Sequence, residues 1–240
     1  MRIKAIIAYD GNHFHGFQRQ SSTRYTVTTK IEEVLSNIGI QSEIRGSGRT
    51  DAGVHATGQV IDFEIPKFWH DLDKLKVILN RKLKHIAFKH ITAVDENFHA
   101  RFSAKQRLYR YIFKTTPPSI FEAGHIAYYP KFDPTLLRQA LANFEGEHDF
   151  SYFHKTGTAM HTPVRHIYQA HYKPYHNAHI IYFKANGFLR AQVRMMVEMA
   201  MQVAMGNITL EQQLEQLRVQ KRHLTTLAPP EGLYLARIIY

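Results

Sequence analysis

The feature that most constrains this chain is the order in which its hydrophobic periods change. Residues 2–9 place Ile3, Ala5 and Ile7 on one face of a strand. Val27, Ile31, Val34, Leu35 and Ile38 then recur at helical spacing, and Gly39 follows as a natural residue just past a helix end. A strand near 41–46 leads into Gly46-Ser-Gly-Arg-Thr-Asp-Ala-Gly53, and 57–65 is strand-like again. Leu72, Leu75, Ile78 and Leu79 mark a second helix, and 85–94 returns as a strand.

The second half repeats that order. Residues 106–114 alternate Leu108, Arg110 and Ile112 against Tyr109, Tyr111 and Phe113, which is strand spacing. Asp133-Pro134 reads as an N-cap followed by a first-turn proline, ahead of the stripe Leu136, Leu137, Ala140, Leu141 and Phe144. Strands are expected at 165–174 and 178–186, then a helix from about 189 to 205 that Gly206 can end. A short helix near 210–218 opens with the capping box Thr209-x-x-Gln212, and 233–239 is the last strand. Each half reads β-α-β-β-α-β, the ferredoxin-like split unit. The expected class is α+β: two tandem ferredoxin-like units with antiparallel sheets, residues 1–104 and 105–240, packed around a central cleft.

RNA enters through charge. Lys and Arg number 31 against 20 acids, a net charge of +11, which suits a polyanionic partner. The cations are interleaved with aromatics, as stacking on unpaired bases needs, although a core needs aromatics too. There is no cysteine, which excludes disulfides, thiolate metal sites and a thiol nucleophile. No stretch reaches the apolar length of a membrane span, and Met1-Arg-Ile-Lys-Ala enters a strand pattern without a signal-like region. The expected location is therefore cytoplasmic.

The most informative segment is Gly46-Ser-Gly-Arg-Thr-Asp-Ala-Gly-Val-His-Ala56. Its glycines imply positive-φ backbone or close approach by something bulky. Val54-His55 after Gly53 rules out a Walker loop, and Asp51 stands where a third dinucleotide-fingerprint glycine belongs. What remains is one carboxylate two residues from Arg49. An opposite charge nearby favours the ionised form, and an ionised Asp can attack an anomeric carbon. An ordinary Asp in a β-connection would also fit.

Residues 48–60, GRTDAGVHATGQV, closely resemble the signature of the tRNA pseudouridine synthase A (TruA) family. Tyr9-Asp-Gly11 with Phe14-His-Gly-Phe-Gln18 resembles the family's opening motif, and Phe98-His-Ala-Arg-Phe-Ser-Ala104 with Arg107-Leu-Tyr-Arg-Tyr111 its central one. Gly146-Glu-His-Asp-Phe150, Phe188-Leu-Arg-Ala-Gln-Val-Arg194 and Leu227-Ala-Pro-Pro-Glu-Gly-Leu233 follow in the family's order. Phe17 departs from the family's commoner Trp, Thr29 from a Gln, and the helix motif RAQVRMMVEM from the usual pattern.

The resemblance implies isomerisation of uridine to pseudouridine in the anticodon stem-loop of tRNA, at positions 38 to 40, without cofactor or metal. It makes Asp51 the nucleophile, whether toward C1′ or a ribose proton. Tyr109 matches the active-site tyrosine that stacks on the base, and Arg194 the arginine that pairs with the catalytic carboxylate. Arg194 also lies on an otherwise apolar helix, where an unpaired Arg would be costly. Arg49 and Arg101 are expected to bind substrate, and the resemblance implies a homodimer.

Tyr111 and Phe113 read better as core. Among sixteen histidines, the spacing of His161, His166, His171, His176 and His179 does not gather them on one face, so no metal site is expected. Met195, Met196, Met199, Met201 and Met205 on one helix suggest deep burial or a dimer contact. The main alternative is a non-catalytic RNA-binding protein of the same fold. A metal-dependent nuclease fits worst, for want of a carboxylate cluster.

Overall fold

The computed structural model describes residues 1–157 and 161–240. It is a mixed α+β protein with mostly antiparallel strand pairing and five α-helices among the described residues. The chain divides into two compact units, Met1–Lys105 with Tyr234–Tyr240, and Gln106–Leu233.

In the first unit, β1 (Arg2–Tyr9) buries Ile3, Ala5, Ile7 and Tyr9 on one face. It lies between β3 (His55–Glu64) and β4 (Ile86–Ala93), antiparallel to both. Helix α1 (Val27–Ser36) starts where the Thr26 hydroxyl accepts from the Thr29 amide, and buries Val27, Ile31 and Leu35. Gly39, at φ +81°, lets the chain leave the helix. Helix α2 (Leu72–Lys82) is capped by Asp71 and tied to β4 by the Asn80 side chain, which bonds both the amide and the carbonyl of Phe88.

The strand expected near 41–46 shrinks to β2 (Arg45–Gly46), antiparallel to β3. Side chains take the backbone roles a longer ladder would fill. The Ile44 amide donates to Glu32, and the Ser42 hydroxyl accepts from the Glu64 amide.

In the second unit, β5 (Gln106–Lys114) pairs antiparallel with β9 (Ala178–Ala185), which forms a hairpin with β8 (Val164–Tyr175). Strand β6 (Ala127–Tyr128) runs parallel to β5. The expected alternation holds, with Tyr109, Tyr111 and Phe113 buried. Helix α3 (Pro134–Ala142) has its cap at Asp133 and proline at its start, as the sequence pattern implies. Gly146–Asp149 forms β7, antiparallel to β8, a strand that no period in the sequence announces.

Helix α4 (Gln192–Ala204) begins three residues later than expected. Ala191 is left-handed at φ +60°, and the Leu189 amide donates to the Gln192 side chain, so 189–191 form a bent entry rather than a helical turn. Met195, Met196, Met199 and Met201 are buried, making this helix the unit's core. Helix α5 (Leu210–Leu217) opens with the expected Thr209/Gln212 capping box.

The last strand, β10 (Leu233–Ile239), departs from the expected division at residues 104 and 105. Tyr234–Tyr240 pack in the first unit, where Tyr234 and Leu235 run parallel to His55 and Ala56 of β3. Gly58 makes this possible, since a Cβ there would lie 2.2 Å from the Ala236 carbonyl oxygen.

Candidate active site

In the first unit the loop joining β2 to β3 carries Asp51, half-buried, with its backbone held at several points. The Ser47 amide donates to the Val60 carbonyl at 2.9 Å, and its hydroxyl to Gln59 Oε1 at 2.7 Å. Gln59, wholly buried, returns its amide NH2 to the Gly48 carbonyl at 2.7 Å. The Thr50 carbonyl accepts from the Phe17 amide at 3.0 Å, and its hydroxyl meets the Tyr9 hydroxyl at 2.8 Å. The Asp51 carbonyl accepts from the Val54 amide at 3.2 Å, closing a turn that needs Gly53 at φ +77°.

The motif at residues 9–18 is the other half of this clamp. Phe17 is buried against Gly46, where a Cβ would come within 2.3 Å of its ring. Tyr9 packs against both Phe14 and Phe17. Below the loop, the buried His55 accepts from the Gly11 amide through Nδ1 at 3.0 Å and stacks on Tyr234 at 4.6 Å. The sequence expectation of bulky close approach or positive φ is met by both devices, at Gly46 and Gly53.

Arg49 is exposed beside Asp51 in sequence. Arg101 is also exposed, its guanidinium 5.5 Å from the ring centre of the exposed Phe102. Its turn is anchored from beneath. The Arg101 amide donates to His99 Nδ1, and the Ala100 amide to Oδ1 of Asp62 at 2.7 Å. Asp62 is fully buried, with Arg2 and Arg45 as ion partners. Burial pushes its carboxyl upward, and the Ala100 amide opposes that shift.

In the second unit, Tyr109 is buried on β5 opposite Phe183, and the Phe188 ring meets it edge-to-face at 5.2 Å. Arg194 projects from the first turns of α4, half-buried. Its Nε donates to the Ala228 carbonyl at 2.7 Å, while the Ala228 amide donates to the Arg194 carbonyl at 3.1 Å. The Nε bond orients the guanidinium, and the backbone bond holds residue 228 beside it.

The 227–233 motif, to which the sequence assigns no role, thus orients Arg194. It also backs β5: the Tyr111 hydroxyl donates to the Pro229 carbonyl, and Gly232 lies where a Cβ would crowd the Tyr111 ring at 2.8 Å. Burial holds the Tyr111 hydroxyl protonated, its pKa well above the ordinary value. That is the behaviour of core, as expected for Tyr111 and Phe113.

Sequence reasoning singles out Asp51, Tyr109 and Arg194 but misses the groups that position them: Tyr9, Phe17, Thr50, Gln59 and Ala228. The signal is present, because all five lie in or beside the quoted motifs. Several of the histidines pack against aromatics of the β8–β9 hairpin. His171 stacks on Tyr182, and His179 hydrogen-bonds Tyr172 and stacks on Phe113.

Chemically, the first unit offers a carboxylate on a backbone fixed in advance, and the second a ring and a locked cation. No helix among the described residues is long and apolar enough to cross a membrane. A family model described as tRNA pseudouridine synthase matches residues 5–103 and 140–240. The chain is 40% identical over 243 residues to the tRNA pseudouridine synthase A of Helicobacter hepaticus, covering 99% of this chain and 98% of that protein. It is 38% identical over 242 residues to that of Campylobacter jejuni strain RM1221, with both chains fully covered. The protein of the same name from Helicobacter pylori strain P12 is 40% identical over 243 residues, with 99% of each covered. With relatives of this name matching along its whole length, this chain belongs to the tRNA pseudouridine synthase A family, a family of isomerases.

Proposed function

We propose that this protein isomerises uridine to pseudouridine in the anticodon stem-loop of tRNA, at positions 38 to 40, with Asp51 as nucleophile and no cofactor. The N-glycosidic bond breaks, the base turns, and C5 joins C1′; C5 gives up its proton and N1 gains one, so the reaction is balanced within the substrate. The target nucleotide must first leave its stack, at a cost of a few kcal/mol.

The observation that carries the reading is the Asp51 loop, whose Ser47, Gly48, Thr50 and Asp51 backbone groups are bonded internally before substrate arrives. Preorganisation of this kind is what a covalent or general-base carboxylate needs, and a passive RNA binder has no use for it. Tyr109 stacks on the uracil and assists removal of the C5 proton, and Arg194 serves as the carboxylate's cationic partner. Arg49 and Arg101, both exposed, bind the RNA backbone.

The same reading makes each half a ferredoxin-like unit, the N-terminal half carrying the aspartate and the C-terminal half the tyrosine and arginine, around an RNA-binding cleft. In the first unit the antiparallel order β4-β1-β3-β2 supports this, with β10 added parallel to β3. We further propose a cytoplasmic homodimer.

The test follows tritium release from a tRNA transcript labelled at uridine C5, in the presence of EDTA. Release at catalytic enzyme, with no nucleotide added, is the expected result. Tight tRNA binding without release would favour the binding-module alternative.

A further inference from the structure

The roles above leave a basic pocket in the second unit unused. Its cavity of about 260 Å³ is lined by three separate stretches of chain, around 152–156, 190–195 and 222–225. Lys155, Arg190 and Arg222 bring three cations to it, Tyr152 and Met195 supply apolar wall, and Thr156 adds a hydroxyl. None of the lining residues is acidic. Its volume falls below the roughly 300–1,000 Å³ of drug-sized sites, and it fits a compact anionic group better than a large ligand.

The pocket is built rather than incidental. The Lys155 amide donates to the Arg190 carbonyl at 3.1 Å, joining two of its walls. The Arg222 guanidinium lies 4.5 Å from the centre of the Tyr152 ring. Behind them stands Gln216, wholly buried, with every hydrogen-bonding group of its amide engaged. Its nitrogen donates to the carbonyls of Tyr152 and Leu224, both at 3.0 Å. Its oxygen accepts from the amides of His223 (2.7 Å) and Leu224 (2.8 Å). Glu215, the adjacent carboxylate on α5, is occupied by His223. A satisfied buried glutamine of this kind holds two segments in one arrangement.

Three cations gathered without a carboxylate repel one another, so the arrangement favours an anion. Arg190 also lies four residues before Arg194, at the entry to α4, so the pocket and the orienting bond of Arg194 share one helix end. We propose that this pocket holds a backbone phosphodiester of the RNA substrate close to the nucleotide being modified. The inference rests on the tRNA-modifying function proposed above and deepens it: the pocket sets the register of the strand, and the half-sites do the chemistry.

The experiment measures binding of an unmodified tRNA transcript against salt concentration for wild type, R190Q/R222Q and K155Q. A control, K67Q/K84Q, removes two exposed charges from the first unit. K155Q tests the pocket without disturbing the bonds of either arginine. Every phosphate that a variant no longer neutralises should flatten the slope of log affinity against log salt by about 0.7–0.9. Both pocket variants are expected to show that change with a raised KM, and a single-turnover rate at saturating enzyme within about 3-fold of wild type. The control should lose affinity without matching the change in slope. Inorganic phosphate at millimolar levels should compete with RNA on wild type more than on R190Q/R222Q. Equal slopes for pocket and control variants would overturn the proposal, even with pseudouridine still forming. If wild type forms no pseudouridine, the proposed function fails, while the slopes still decide whether the pocket binds phosphate.

Discussion

Asp51 illustrates how much a residue's chemistry depends on its neighbours' bonds. Its carboxylate rides on a loop tied down by Gln59, Phe17 and Tyr9, none of which needs to touch substrate. Removing the carboxylate should therefore leave the fold intact while ending catalysis. D51A and D51N are expected to lose at least ~10³-fold in kcat with tRNA affinity within a few-fold of wild type. Retained turnover in D51N would remove Asp51 from the chemistry. The clamp itself can be tested at Gly46. G46A drives a methyl group into the buried Phe17 ring and should cost about 1–3 kcal/mol by urea unfolding. An unchanged midpoint would show that the ring has room to yield. At Arg194, R194K keeps the charge but loses the Nε bond to Ala228, so kcat should fall at least ~10-fold with KM little changed. A change confined to KM would instead make Arg194 a binding residue. Asp51, Tyr109 and Arg194 are legible because they stand in dense motifs. Their supports are not, because a hydrogen bond such as Tyr9 to Thr50 joins residues 41 apart and leaves no local period.

Among the secondary-structure elements, helix ends are the most legible feature. Asp133 and Thr209 cap through side-chain bonds to amides two or three residues on, a purely local geometry that sequence displays directly. D133A and T209A should each cost about 1 kcal/mol in chemical denaturation. A cost near zero would mean that tertiary packing, rather than the cap, sets those helix starts. Strands are less evenly legible. The strand expected near 41–46 forms only at Arg45–Gly46, because Glu32 and Ser42 satisfy or supply the hydrogen bonds of 42–44 from side chains, which no period reveals. Conversely, β7 is too short and too polar to stand out, and pairing with β8 defines it. The sequence pattern starts α4 three residues early because Leu189 continues the apolar stripe, whereas left-handed Ala191 breaks the backbone there.

For the molecule as a whole, the sequence conveys class and charge but not the placement of every strand. A period of two says that 233–239 is a strand; only Gly58, by admitting the Ala236 carbonyl, says which neighbour it joins. Stability across pH has an identifiable contributor at Glu122. Hydrogen bonds from the Lys114 ammonium and from Ser119 pull its carboxyl down to about 2 from an ordinary 4.5. Because the folded value is depressed, the stabilisation is present above about pH 4.5 and is lost as pH falls toward 2. The E122Q variant should thus be less stable than wild type near neutrality, with the gap in urea midpoint closing between pH 4.5 and 2; a constant gap would point to packing instead. The net charge of +11 draws the molecule to polyanions in general, so binding alone cannot separate an RNA-modifying enzyme from an RNA-binding module. Chemistry on the base can. The most direct measurement maps pseudouridine in an unmodified tRNA transcript after incubation with wild type or D51A, in EDTA and without nucleotide. Pseudouridine in the anticodon arm with wild type and none with D51A is the predicted result; tRNA bound equally by both proteins, with no pseudouridine from either, would contradict it.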